Sequence, residues 1–153
     1  MFIEPIEGKR HVVVTDQRTA VDWTHQIRNL VDIEYPRAER ITLVMDNLNT
    51  HTGASLYKAF APEEARRILD KLEIHYTPKH GSWLNQAEIE IGIFAKQCLG
   101  KRRIPDLRTL RRQGKAWARR INKAGTKINW KFDRKTARKT FRYKRNSFTR
   151  SVN

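Results

Sequence analysis

Residues Ile41-Thr42-Leu43-Val44-Met45 form a continuous apolar run that stops abruptly at Asp46-Asn47. Five such residues between polar neighbours predict a strand buried on both faces. A strand of that kind has to be covered by other elements, and the flanking sequence supplies them. His11 to Thr15 (HVVVT) is β-branched and predicts a strand near 10–15. Thr19 and Asp22 have the spacing of a capping box, opening a helix with Val21, Ile27, Leu30 and Val31 that stops before Pro36. Pro62 with Glu63 and Glu64 starts a second helix, expected to run to about Leu72. Residues 73–77 read as another strand, ending at Pro78.

Ser82 is placed to cap a long helix whose apolar stripe is Leu84, Ala87, Ile91, Phe94, Ala95 and Cys98. A further helix follows Pro105-Asp106, with Leu107, Leu110, Trp117 and Ile121 on one face. The order is strand, helix, strand, helix, strand, helix, helix. That alternation predicts an α/β layered domain. Beyond residue 126 the periodicity is weak. Trp130, Phe132, Phe141, Tyr143 and Phe148 sit there among basic residues, a pattern that suits stacking on bases and equally suits a small helix docked on the core.

Charge divides the 153 residues unevenly. The formal net charge is +16, but residues 1–95 hold 11 Lys/Arg against 14 Asp/Glu, a net of −3. Residues 96–153 hold 21 Lys/Arg and only Asp106 and Asp133, a net of +19. A mildly acidic body with a strongly basic extension implies a polyanion partner. The candidate contacts are Lys101, Arg102, Arg103, Arg108, Arg111, Arg112, Lys115, Arg119 and Arg120. No run approaches the length of a membrane span. The single Cys98 excludes an internal disulfide and any Cys-based zinc finger.

Two sets of carboxylates could carry chemistry. Asp46 ends a strand, where α/β sheets place ligands. Its charge must be paired or hold a cation if it is buried, or it forms an Asx-turn with Asn47 and Asn49. Glu88 and Glu90 flank the helical stripe on opposite sides, about 160° apart, so they cannot both serve one metal pair. Periodicity does not choose between them, and at least one is expected to be a solvated edge residue.

The run VMDNLNTH (Val44–His51), followed by HYTPKHGSWLNQAEIEIGIF (His75–Phe94), resembles the DDE-superfamily transposases of bacterial insertion sequences, in their mariner-like branch. In that family the second catalytic Asp ends a buried strand, and the catalytic Glu opens a helix within Leu-Asn-Pro-Ile-Glu. Here Leu84-Asn85-Gln86-Ala87-Glu88 fits the second motif, with Gln86 and Ala87 in place of Pro and Ile.

The resemblance therefore selects Glu88 over Glu90. It implies Asp46 and Glu88 as catalytic metal ligands for Mg²⁺ or Mn²⁺, with Asn47, His51, Lys79, His80 and Asn85 as neighbours. It also implies a ribonuclease-H-like fold, DNA cleavage and strand transfer. The family's first catalytic Asp lies on a first strand that this sequence does not display, and Asp16 ends a later strand in the family order.

The expected architecture is thus an incomplete ribonuclease-H-like layered fold over 1–104, with a mixed sheet and flanking helices, and a basic helical extension over 105–153. The expected protein is a transposase fragment of a bacterial cytoplasm, bound to DNA at the nucleoid and inactive by itself. Its partners would be DNA and either an N-terminal transposase fragment or a second copy. The competing expectation is a non-enzymatic nucleic-acid binder that acts through the basic extension alone.

Overall fold

The computed structural model describes residues 1–46, 48, 50–77 and 85–140. Two short strands begin the chain: β1 (Phe2–Glu4) and β2 (Lys9–His11), antiparallel, with Ile3 opposite Arg10. Gly8 closes the turn at φ +71°, and a Cβ there would lie 2.7 Å from the Thr126 carbonyl oxygen. Both facts demand glycine. The ladder ends at His11 because β1 is only three residues long. The strand expected over 10–15 is correspondingly short. Val12 turns into the core instead, and Val13 is left exposed.

Helix α1 (Ala20–Asn29) opens on the anticipated capping box: the Asp22 amide donates to Thr19 Oγ1 (3.1 Å) and the Thr19 amide to Asp22 Oδ2 (2.9 Å). A π-helical turn, Leu30–Glu34, continues it to just before Pro36. Then β3 (Ile41–Met45) pairs in parallel with β4 (Leu72–Tyr76), with Ile41 opposite Leu72 and Met45 opposite Tyr76. Between them come a 3₁₀ segment, Gly53–Lys58, which sequence patterning did not disclose, and α2 (Pro62–Asp70), which begins at its proline.

Burial along β3 alternates, contrary to the expectation of a strand covered on both faces. Leu43 and Met45 point inward, whereas Thr42 is exposed and Val44 is 60% exposed. Among the described residues β4 is the only strand beside it, and Thr42 and Val44 lie outside the apolar cluster that takes in Leu43 and Met45.

Helix α3 (Gln86–Phe94) runs on through a π-helical turn, Ala95–Leu99, that ends at Gly100. Its N-cap is Asn85, not Ser82, which lies outside the described residues together with Leu84. Helix α4 (Leu107–Lys123) is capped by Asp106, whose Oδ1 accepts from the Thr109 amide (2.7 Å). Trp117 is buried on it, Leu110 and Ile121 pack partly, and Leu107 remains 40% exposed, outside the stripe assigned to it. A short helix α5 (Arg134–Thr140) follows. Phe141, Tyr143 and Phe148 lie outside the described residues.

Two apolar clusters result. The first joins α1, β3 and α2 through Trp23, Ile27, Val31, Met45, Leu56, Ala65 and Ile68. The second joins α3 and α4 through Phe94, Trp117 and Ala118, with Met1 and Val12 packed against it. The β1–β2 hairpin touches both, since Phe2 packs on the first cluster. Among the described residues no helix is long and apolar enough to cross a membrane.

Candidate active site

Asp46 is the residue immediately after β3, and the ladder runs right up to it: the Thr77 amide donates to the Met45 carbonyl (2.9 Å). Its carboxylate is therefore delivered by a paired strand end. His51 lies beside it, Nδ1 to Asp46 Oδ1 2.6 Å. A carboxylate can only accept, so Nδ1 carries the proton and donates.

Three further contacts hold His51. Its ring stacks on Trp23 of α1 (centroids 5.7 Å, planes 26° apart). Its amide donates to the Leu48 carbonyl (2.9 Å), and its carbonyl accepts from the Tyr76 hydroxyl (3.2 Å). Asp46 is thus fixed from the side by a histidine that is itself fixed by α1 and β4. The Asx-turn expected through Asn47 and Asn49 lies outside the described residues.

Glu88 arrives by a different route. Asn85, nearly buried, accepts from the Ala87 amide through Oδ1 (3.0 Å) and starts α3. That places Glu88 in the first turn, where the helix dipole favours a carboxylate. Its side chain is exposed. Asp46, His51, Asn85 and Glu88 all line one cleft of about 360 Å³, although they span 42 positions of sequence. Lys79 and His80 lie outside the described residues.

Glu90 is not solvated and does not line that cleft. Its two oxygens receive Arg10 Nε (3.0 Å) and Nη2 (2.9 Å), and the two side chains are 3% and 6% exposed. The expectation that one of the two glutamates is solvated holds for Glu88; Glu90 is an internal anchor. Periodicity missed this because the partner is 80 residues away.

A third carboxylate, Asp22, also lines the cleft. The Thr19 hydroxyl and then the Thr19 amide hold it below the usual carboxylate range. Its capping-box spacing was visible in sequence, but its place in the cleft was not.

Carboxylate oxygens are the donors that hard divalent cations prefer, so Asp46 and Glu88 fit such an ion in kind. Among the described residues no three His, Cys, Asp or Glu side chains form a group able to hold one. The donor set is partial.

Arg111 of α4 borders this region. Arg111 donates to the Val14 carbonyl (3.0 Å) and to Asp16 (2.6 Å). It lines a depression that shares Thr15, Thr19 and Asp22 with the cleft. Arg102 is also engaged internally, by the Cys98 and Leu99 carbonyls and by Gln113. Lys101, Arg103, Arg108, Arg112, Lys115, Arg119 and Arg120 are exposed.

The family described as DDE superfamily endonuclease matches residues 1–111. The chain belongs to that family. No curated protein and no solved structure matches it. Endonucleases of the DDE superfamily typically use divalent metal ions, and membership implies a DNA substrate and a nuclease- or transposase-type function. The mixed α/β architecture, with its small sheets and several helices, is compatible with a partial ribonuclease-H-like fold of this superfamily. The matched region contains both Asp46 and Glu88.

Proposed function

We propose that Asp46 and Glu88 are two of the metal-binding carboxylates of an insertion-sequence transposase of the mariner-like branch, and that this chain alone does not complete the site. The observation that carries this reading is their meeting in one cleft, one from a strand end and one from a helix start. A divalent ion bound there supplies an activated water and neutralises charge on the scissile phosphate.

The chain's own residues do the rest. His51 holds Asp46 in one orientation through Nδ1–H, and Trp23 holds the imidazole plane. Asn85 sets where α3 begins, and so how far Glu88 reaches. The exposed Lys101, Arg103, Arg108, Arg112, Lys115, Arg119 and Arg120 neutralise backbone phosphates and steer DNA toward the cleft. Arg102 and Arg111 contribute less, because they already serve protein acceptors.

Activity by this chain alone is not expected: two carboxylates are few for two ions, Asp22 in the same cleft is held by Thr19, and among the described residues no three His, Cys, Asp or Glu side chains form a group able to hold an ion.

Mn²⁺ titration of the purified chain tests the assignment. Binding should weaken at least about tenfold in Asp46→Ala and in Glu88→Ala, and Mn²⁺ affinity indifferent to both would sink it. DNA binding should survive both substitutions and weaken steeply with salt, with a slope of about −0.9 per phosphate neutralised. Mg²⁺-dependent nicking by the chain alone would overturn the statement that it is incomplete. Salt-dependent DNA binding without any Mn²⁺ site would favour the alternative, a non-enzymatic binder working through the basic extension.

A further inference from the structure

We infer that the Arg10–Glu90 pair sets the rotation of α3 about its own axis, and thereby aims Glu88 into the cleft. Arg10 and Glu90 are positioning residues, and the inference rests on the reading of Glu88 as a metal ligand. Helix α3 carries apolar residues on two opposed faces, Ala87, Ile91 and Phe94 on one and Ile89 and Ile93 on the other. The stripe of Ala87, Ile91 and Phe94 thus has a rival on the other side, and apolar burial alone does not choose one rotation. The observed setting leaves Ile89 43% and Ile91 47% exposed while burying a carboxylate. Packing of Phe94 and Ile93 on the second cluster does not by itself account for a buried carboxylate between them, so a second agent fixes the setting.

That agent is the fork of Arg10. It holds both oxygens of Glu90 (3.0 and 2.9 Å), a geometry that resists rotation in a way a single bond does not. Its third nitrogen, Nη1, donates to the Gly8 carbonyl (2.8 Å) and to the Thr126 carbonyl. The Arg10 backbone is locked as well. Its amide donates to Asn122 Oδ1 (2.8 Å), and its carbonyl accepts from Asn122 Nδ2 (3.0 Å).

The pair therefore ties α3 to the β1–β2 hairpin and to the end of α4 at one point. Residues two apart on a helix point about 160° away from each other. With Glu90 held inward, Glu88 must face out on the other side, where Ala87 and Ile91 accompany it in the cleft wall.

The double variant Arg10→Met/Glu90→Leu removes both charges together, leaving no unpaired buried ion, a change that buried pairs commonly tolerate. Arg10→Lys keeps the charge but loses the fork, and serves in its place if the double variant fails to fold. Two readouts apply to the full chain, with folding checked by circular dichroism.

The first is Mn²⁺ affinity, expected to fall about 10–100-fold, the usual effect of losing an outer partner of a metal ligand. The second needs no metal: the distance distribution between nitroxide labels at Glu88→Cys and Arg66→Cys, in a Cys98→Ser background. It should be narrow with the pair intact and broad or shifted without it.

A folded variant with an unchanged distance distribution overturns the inference, whatever its Mn²⁺ affinity. If the parent chain binds no Mn²⁺, the metal reading fails. The label distances then decide the positioning role by themselves.

Discussion

The two apolar clusters are built on opposite plans, and each carries one of the cleft's two key carboxylates. The first, under β3 and β4, is closed by aliphatic side chains: Ile27, Val31, Leu56 and Ile68 are fully buried there. Asp46 is simply the next residue after a strand that this cluster anchors. The second has only Phe94, Trp117 and Ala118 at its buried centre. It is completed by a buried ion pair and by the Arg10–Asn122 backbone clasp. Glu88 depends on that plan. Apolar contact is non-directional, whereas a bidentate ion pair is directional. The first cluster can hold a strand end in place with packing alone, and the second needs oriented bonds to aim a helix.

This contrast is best broken by matched core truncations. Trp117→Ala should cost about 3–5 kcal/mol and Ile68→Ala about 2–5 kcal/mol in chemical denaturation. Their effects on Mn²⁺ affinity should differ. Trp117→Ala loosens the ring that packs edge-on to Phe94 of α3 (5.2 Å) and should weaken binding in the folded protein. Ile68→Ala should leave it near the parent value. Equal losses of affinity would erase the distinction.

A smaller effect sharpens the same point at the hairpin that bridges the clusters. Gly8→Ala should destabilise by at least about 1–2 kcal/mol, because φ is positive and the new Cβ meets the Thr126 backbone. An unchanged denaturation midpoint would show that the hairpin does not need this close approach.

On the first-cluster side, Thr19→Ala should cost about 1 kcal/mol through the lost cap of α1. The Thr19 hydroxyl keeps the folded pKa of Asp22 depressed, so this stabilisation is present above the ordinary carboxylate pKa. It fades as pH falls through the folded value. Stability measured from neutral pH into acid should show the gap between parent and variant narrowing below about pH 4.

The smallest effect is expected at Tyr35, whose hydroxyl donates to Glu4 of β1. Burial, and then that bond, raise its pKa above the ordinary value. Stability from the neutral phenol is therefore intact below about pH 10 and lost as pH rises further. Tyr35→Phe should flatten the alkaline limb of the stability profile while changing neutral stability by about 1 kcal/mol or less.

Local signals carried much of the fold. The capping box at Thr19 and Asp22, Pro62 at the start of α2, Asp106 before α4, and the apolar run into Asp46 are each readable within a few residues, and each appears where its pattern places it. Failures came where a distant partner decides. The strand expected over 10–15 is cut to three residues by the length of β1. Val44 is exposed because it lines the open cleft and not a packed second layer. Glu88 and Glu90 flank the apolar stripe on opposite sides, so periodicity did not distinguish them, and only resemblance separated them.

By itself, then, the sequence determined the alternation of strands and helices, the basic excess after residue 95, and an acid at the end of β3. These rest on hydrogen bonds and periodicities that close within one or two helical turns. Tertiary structure alone decided that Glu90 is buried on Arg10, that Glu88 is left facing the cleft, and that His51 braces Asp46. The fate of a charge depends on which group meets it across the chain, and no local pattern contains the residue 80 positions away that neutralises it.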